Sequence, residues 1–328
     1  MSFKSLKITT LVLVTITVLA VFLILYFKSD PDYRKNFVSF ISFQKNPYRL
    51  YIKNLDGSPA IQISPSDLLV SWYKWSPDGR AVAIISGAVP NIELYIIRML
   101  SDTKAGPAIK MTNKKIRMAT RYFVFNGYPK WSPDGQSLAF ILDNKKLMLI
   151  SPIHSKTEKI PEPRVVSEGD FTRLMWRLGI DKKTGLKKYV PYAEHSNEPD
   201  ELIKAFAAIY PEKVGKYNEC DYYISRSPDG KNMALWEKRK RSPIWIILNN
   251  SKPMRELDLH IQAKQPVWLS DSKRIIFCGD RQVNKRHALN KDRTSSIWII
   301  NSDGTGLKLF KTDVGNVYFP AWKPCRRK

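Results

Sequence analysis

The pattern of apolar and polar positions changes character near residue 36. Before it, Ile8 to Phe27 is one apolar stretch of 20 residues without a charge, framed by Lys4 and Lys7 on one side and Lys28 on the other. A run of that length spans a bilayer as a helix. After it, short apolar runs alternate with turn residues: Phe37 to Phe43, Leu50 to Ile52, Ala60 to Ile63, Val82 to Ile84, Leu94 to Ile97, Leu138 to Phe140, Leu147 to Ile150, Met233 to Leu235, Ile244 to Ile247, Ile275 to Phe277, Ile297 to Ile300 and Leu307 to Phe310. Short β-branched and aromatic runs bounded by turn residues predict strands.

The turns between these runs repeat. Trp-Ser-Pro-Asp-Gly occurs at Trp75 to Gly79 and again at Trp131 to Gly135. Weaker copies follow at Arg226-Ser227-Pro228-Asp229-Gly230 and Trp268-Leu269-Ser270-Asp271-Ser272, and Trp322-Lys323-Pro324 is a last copy cut short. Proline presets φ, aspartate bonds nearby amides and glycine takes the positive φ that closes a hairpin, so each copy predicts strand, tight turn, strand. Third strands come next, such as Ile244-Trp245-Ile246-Ile247, and Asp303-Gly304 supplies a further turn before a fourth. Four antiparallel strands per unit make a propeller blade.

The spacing exposes a gap. Fifty-six residues separate Trp75 from Trp131, 42 separate Arg226 from Trp268 and 54 separate Trp268 from Trp322, but 95 separate Trp131 from Arg226. Leu174-Met175-Trp176-Arg177, followed by a turn over Asp181 to Gly185, divides that gap and predicts a hidden unit. Six inner strands result. The last has no strands after it, and the runs at 37–43, 50–52 and 60–63 have no inner strand before them. The expectation is therefore an all-β fold, a six-bladed propeller of four-stranded antiparallel blades preceded by one transmembrane helix, whose closing blade joins the C-terminal strand to three N-terminal ones and leaves no open edge.

These motifs resemble the TolB-like propellers, whose blades carry a W-S-P-D-G turn and an aromatic-aliphatic strand ending near D-G. The resemblance covers about residues 36–324 and implies the fold. The stretch before residue 36 has no room for the α/β domain that precedes the propeller in that family, nor is a hydrolase domain seen beside the ring. The ligand is therefore not carried over. The expected organisation is a cytoplasmic N-terminus at 1–7, a signal anchor at 8–27, a linker at 28–35 and a propeller at 36–328 with an irregular, partly helical insertion at about 190–222. Val18-Leu19-Ala20 reads as a cleavage site, but the apolar run continues to Phe27, which favours an uncleaved anchor. Lys4 and Lys7 are nearly balanced by Lys28, Arg34 and Lys35, so charge leaves orientation open. The resemblance points outward, to a periplasmic propeller.

Net charge changes the picture of partners. It is +24, and all but Lys4, Lys7 and Lys28 of that excess lies beyond the anchor. Such a field favours anionic partners. In an up-and-down blade the second-to-third turns and the links between blades share one face, where Lys114, Lys115, Arg117 and Arg121, then Lys145 and Lys146, then Lys238, Arg239, Lys240 and Arg241, and then Lys285, Arg286 and Lys291 are expected to converge. The competing reading is ordinary solvated loops. Membrane contact through residues 8–27 and a protein partner or anionic envelope polymer on the basic rim are the partners expected; no nucleic-acid motif is present. In the insertion, Asn197 caps a predicted helix that places Leu202, Ile203, Phe206, Ile209 and Tyr210 on one face and ends at Pro211. It either covers its own degenerate blade or docks a partner.

Chemistry is sparse. His154, His195, His260 and His287 are scattered without metal spacing, and no cofactor or metal is expected. No nucleophile elbow or phosphate loop occurs. Cys220, Cys278 and Cys325 are odd in number and read as buried thiols, a Cys220–Cys278 pair being the alternative. Asn249-Asn250-Ser251 matches a glycosylation sequon that matters only in a eukaryotic secretory route. Asp78, Gly79, Asp134, Gly135, Asp229 and Gly230 recur at equivalent turns, which reads as structural hydrogen bonding rather than an acid pair. Trp75, Trp131, Trp268 and Trp322 read as packing between blades rather than as a sugar platform. The functional expectation is a membrane-anchored, noncatalytic propeller that binds a protein or an anionic ligand at the envelope. The alternatives are a polysaccharide lyase or glycoside hydrolase with its site at the central channel mouth, and a structural module of a larger complex.

Overall fold

The computed structural model describes residues 37–43, 47–87, 92–112, 128–142, 145–154, 159–171, 173–180, 185–194, 208–209, 222–237, 243–250, 255–257, 259, 261–280 and 295–324. Their strands group into six antiparallel sheets. The first sheet holds β4 (Val70–Trp75), β5 (Ala81–Ser86), β6 (Glu93–Met99) and β7 (Ala105–Lys110) in that order. The second holds β8 (Lys130–Trp131), β9 (Leu138–Leu142), β10 (Lys146–Ile150) and β11 (Arg164–Glu168). The third is a pair, β12 (Arg173–Ile180) and β13 (Lys187–Glu194). The fourth holds β14 (Tyr222–Arg226), β15 (Met233–Glu237), β16 (Ile244–Ile247) and β17 (Arg255–Glu256), and the fifth holds β18 (Gln262–Trp268), β19 (Arg274–Asp280), β20 (Ser295–Asn301) and β21 (Lys308–Phe310).

The sixth sheet joins the two ends of the domain. Its order is β22 (Val317–Lys323), β1 (Phe37–Ser42), β2 (Arg49–Asn54) and β3 (Ile61–Gln62). Phe37 pairs with Lys323, Val38 with Trp322 and Ser42 with Val317, so the last strand lies along the first. That is the strand exchange expected from the unmatched runs at either end. Every residue of β1 and of β5 is buried. Strands covered on both faces read as continuous apolar runs, which is why these segments show no alternation. The outermost strands are exposed, and Pro107 sits in one of them, where a missing N–H is tolerated.

The core lies between the sheets. Among the described residues, five apolar clusters each join two neighbours: sixth with first through Leu50, Ile84 and Ile97, first with second through Ile96, Phe140 and Ile150, second with third through Leu149 and Leu174, fourth with fifth through Ile246, Trp268 and Phe277, and fifth with sixth through Phe40, Ile276 and Val317. The first strands of adjacent sheets also touch, β14 against β18 and β18 against β22.

The repeated turns form one face of the domain, the turn face. In three of them a serine closes the loop: Ser76 Oγ donates to Asp78 at 2.6 Å and accepts from Ala81 N–H at 2.9 Å, while Asp78 accepts from Arg80 N–H at 3.0 Å. Ser132 with Asp134 and Ser227 with Asp229 repeat the arrangement. Gly79, Gly135 and Gly230 have φ of 65°, 72° and 74°, and Ser272 takes the same conformation at 55°. Successive turns then abut. A Cβ on Gly79 would lie 1.9 Å from the Pro324 carbonyl oxygen, and one on Gly135 would lie 2.9 Å from Asp78 Cγ. Asp229 N–H donates to Ser272 Oγ at 3.1 Å.

The tryptophans tie the sheets together. Trp131 Nε1 donates to the Lys74 carbonyl and Trp268 Nε1 to the Ser225 carbonyl, each at 3.0 Å and each reaching the residue before the matching position in the preceding sheet. At the closure the same link runs through a relay: Trp75 Nε1 donates to Ser39 Oγ at 2.9 Å, and Ser39 Oγ donates to the Ala321 carbonyl at 3.0 Å. Lys323 stands where three of the other copies have serine and the fourth has Leu269. It is 1% exposed, and its ammonium lies 5.4 Å from the Phe37 ring centre, 5.3 Å from that of Trp75 and 3.8 Å from Asp102 Oδ1.

Among the described residues no helix is long and apolar enough to cross a membrane, and residues 8–27 lie outside them. Trp176 lies in β12, the first strand of a hairpin, and among the described residues only β13 pairs with it. Residues 190–194, assigned to the irregular insertion, are the end of β13. Ala208 and Ile209 are helical, and Ile209 packs against Met233, Leu235 and Ile247 of the fourth sheet; the rest of the predicted helix lies outside the described residues.

Candidate interaction surface

Opposite the turn face lies the link face, where first strands begin and where second-to-third turns and inter-sheet links run. Of the basic residues expected there, Lys145 and Lys146 are described. Lys145 lies in the connection between β9 and β10, its N–H donating to the Leu142 carbonyl at 3.0 Å. Lys146 is not in the loop but opens β10, where its ammonium is 3.1 Å from Glu168 across the sheet. That contact removes part of the charge a ligand would meet. Lys114, Lys115, Arg117, Arg121, Lys238, Arg239, Lys240, Arg241, Lys285, Arg286 and Lys291 lie outside the described residues.

The described residues instead bring aromatic and hydroxyl groups together where the first strands begin. Three of these strands are kinked. β4 shifts register between Val70 and Trp72, β18 between Lys264 and Val267, and β22 where it passes Ser39 and Ile41. Gln265 and Phe319, each followed by a proline, sit at the kinks with φ of 53°. A bulge of this kind re-aims a side chain. Phe319 is 39% exposed, a large apolar surface in water. Trp72 stacks on Tyr128 of the next sheet with ring centres 4.7 Å apart and planes 12° from parallel. Phe43 contacts both Tyr48 and Tyr318, at 4.1 and 4.7 Å. The sequence signal is a proline two residues before the tryptophan, at Pro129, Pro266 and Pro320, which the turn motif overshadows.

Deeper in, Tyr73 Oη donates to the Phe319 carbonyl at 2.6 Å, tying the first sheet to the sixth. Burial pushes the Tyr73 hydroxyl well above the usual phenol range, opposed by a hydrogen bond with Ser39. Burial likewise raises Tyr223 to about 12, with Cys278 adding to the effect. Cys278 adds to the upward shift of both Tyr73 and Tyr223. Phenols held this far up stay protonated near neutrality. They donate hydrogen bonds but supply no base. The acid and base that a lyase or hydrolase needs are not assembled here by these groups. Cys278 is a buried thiol whose Sγ–H donates to the Val317 carbonyl at 3.8 Å; Cys220 and Cys325 lie outside the described residues. His154, on the turn face, has Nε2 3.5 Å from Asp78 Oδ2. No three of His, Cys, Asp and Glu gather as a metal site among the described residues.

No family model matches the chain. The Tol-Pal system protein TolB of Alcanivorax borkumensis is 33% identical over 97 residues, 30% of this chain and 20% of that protein. The match therefore spans one-fifth of that relative's length. In three dimensions, TolB from Acinetobacter baumannii overlays with a TM-score of 0.50 at 16% identity, covering 89% of this chain and 68% of that one. The fold is a TolB-like β-propeller. An oligogalacturonate lyase solved with manganese superposes at a TM-score of 0.34 and 12% identity, covering 83% of this chain and 72% of that one.

Proposed function

We propose that this TolB-like propeller is a noncatalytic binding scaffold at the cell envelope, with six blades closed into a ring, an anchor at residues 8–27 and the propeller in the periplasm. The partner is a protein with an acidic surface, met by the link face. What supports this reading is the up-and-down order of the four-stranded sheets, in which second-to-third connections leave from one end, together with a sequence that puts Lys238, Arg239, Lys240 and Arg241 between β15 and β16 and Lys285 and Arg286 between β19 and β20. An exposed Phe319 and its aromatic neighbours add apolar contact within a charged surround, the anatomy of a protein-binding patch. The Alcanivorax relative is by name a Tol-Pal system protein, which supports a scaffold role within a multi-component system for the matched segment.

The test is crosslinking of the full chain in native membranes, with mass spectrometry of what is captured. Changing Lys238, Arg239, Lys240 and Arg241 together to glutamate should reduce capture of the partner and flatten its salt dependence. Capture that is unchanged in yield and salt response would refute the link face as the binding surface. Capture of an acidic polysaccharide rather than a protein would overturn the assignment of partner.

A further inference from the structure

The outermost strands of the sheets are guarded unequally. A strand at a sheet edge turns alternate N–H and C=O groups toward solvent, where another chain can pair with them, and proteins blunt such edges with proline, bulges or brevity. Among the four-stranded sheets, β7 carries Pro107 and meets a register shift between Ile97 and Met99 of its neighbour. β11 meets a register shift between Leu147 and Met148, and the Lys146–Glu168 ion pair lies across it. β3 and β17 are two residues long. β21 has neither proline nor bulge: Phe310 pairs with Ile297, Leu309 with Trp298 and Lys308 with Ile299 in regular register.

What this edge displays is apolar. Leu307 is 38% exposed and Leu309 39%. Side chains two apart share a face of a strand, so both leucines stand on one side, beside Trp298, which belongs to the core between the fourth and fifth sheets. Ile61 of β3 and Val165 of β11 are exposed singly, which is ordinary on a surface. Lys308 and Lys311 are exposed between and beyond the leucines, and residues 304–312 contain no acid. The strand is also set in place before any partner arrives. In the turn that feeds it, Asp303 accepts from the Thr305 N–H at 2.9 Å and from its hydroxyl at 2.7 Å, and Thr305 Oγ1 accepts from Asn301 Nδ2 at 2.9 Å. Little ordering is left for binding to supply.

The order of side chains states what fits. A second copy does not, since β21 paired with itself gathers the lysines of both chains with no acid to answer them. An antiparallel segment does when apolar residues lie opposite Leu307 and Leu309 and acids opposite Lys308 and Lys311. Read from its N-terminus, that segment runs acid, any residue, apolar, acid, apolar. We infer that the edge of the fifth sheet, β21 with Leu307 and Lys311 on either side, is a strand-addition site for an acidic, leucine-bearing extended segment of a partner protein. Main-chain pairing supplies the affinity, and the leucines and lysines supply the selection. The site is separate from the basic link-face loops and does not depend on them.

The test titrates the full chain into a fluorescent peptide with the core Glu-Val-Leu-Glu-Leu and follows anisotropy. Saturable binding is expected, with slowed amide exchange over residues 306–312 and unchanged exchange in β3 and β17. The Leu307→Ser, Leu309→Ser double variant, with unchanged near-ultraviolet circular dichroism, should bind about tenfold more weakly or worse. Lys308→Glu with Lys311→Glu should weaken binding and remove its salt dependence. The same peptide N-methylated throughout its core keeps its side chains but loses its donors, and should not bind. No saturation at peptide and protein concentrations on the order of 1 mM would overturn the proposal. So would equal binding of the N-methylated peptide, or capture without protection at 306–312. Changing Lys238, Arg239, Lys240 and Arg241 to glutamate should leave peptide binding intact; its loss in that variant would move the site to the link face and refute the edge.

Discussion

The junction between the first and sixth sheets and the hairpin of the third sheet solve the same problem in opposite ways. Both begin with a first strand that carries a tryptophan. At the junction the turn is tied inward: Trp75 bonds through Ser39 to Ala321, Gly79 lies under Pro324, and Lys323 is enclosed between Phe37, Trp75 and Asp102. At the hairpin, Trp176 Nε1 has no hydrogen-bond partner, Gly185 has nothing within 4 Å of a built Cβ, and the strands run on into water. The lesson is that the repeat has been kept where it holds sheets together and abandoned where the domain reaches outward.

Substitutions that probe the two places should separate them. The largest difference is expected for glycine. Gly79→Ala introduces both a strained φ and a clash with backbone, and should cost about 3–5 kcal/mol in urea unfolding. Gly185→Ala, with φ of 69° but open space around it, should cost only about 1 kcal/mol. Equal losses would show that the closure is not tighter than the hairpin.

A smaller contrast is expected for the indoles. Trp268→Phe deletes the donor to Ser225 and leaves a carbonyl unpaired, a loss of about 1–3 kcal/mol, and Trp176→Phe deletes a donor that has no partner and should be near neutral. Thermal unfolding of the two variants side by side checks it. If Trp176→Phe proves as costly as Trp268→Phe, the third sheet is bound as firmly as the fifth.

The smallest effect is in acid. Hydrogen bonds from Ser227 and the Lys231 amide hold the Asp229 carboxyl below its usual 3.8, and those from Thr305 do the same for Asp303. A depressed carboxyl stabilises the fold above its unfolded value and loses that contribution as pH falls through the folded one. Melting temperature should therefore decline below about pH 4, and Asp229→Asn should decline slightly less steeply over the same range. The hairpin has no such carboxylate among its described residues, so Leu186→Ser should leave the acid profile unchanged.

Much of this architecture is legible in the sequence because its devices are local. A Pro-Asp-Gly at a fixed distance from an apolar run dictates a turn wherever it occurs, and the unmatched runs at 37–63 announce the joined sheet. Trp176 is legible as a strand even without its turn. Other features are long-range and leave no such mark. Lys323 reads as a surface lysine, and only the pairing of β22 with β1 encloses it. Arg177 to Ile180 reads as the run-out of a strand, since nothing local says that neighbouring sheets stop one turn sooner. Phe319 and Gln265 owe their conformation to the prolines behind them and to bulged pairing, for Phe319 with β1 from the far end of the chain and for Gln265 with β19. The basic loops at 238–241 and 285–286 are legible as charge but not as geometry, because charge prefers water in any arrangement.

Pairing β22 with β1 also dictates a timetable. During synthesis, β1 emerges early with six residues that are all to be buried, yet its neighbour on one side is not made until Lys323. At ~5–20 residues per second that wait is on the order of tens of seconds. Throughout it, the nascent chain carries a sticky, half-matched ribbon, and whatever escorts it to its destination must keep that ribbon from other copies until the tail arrives.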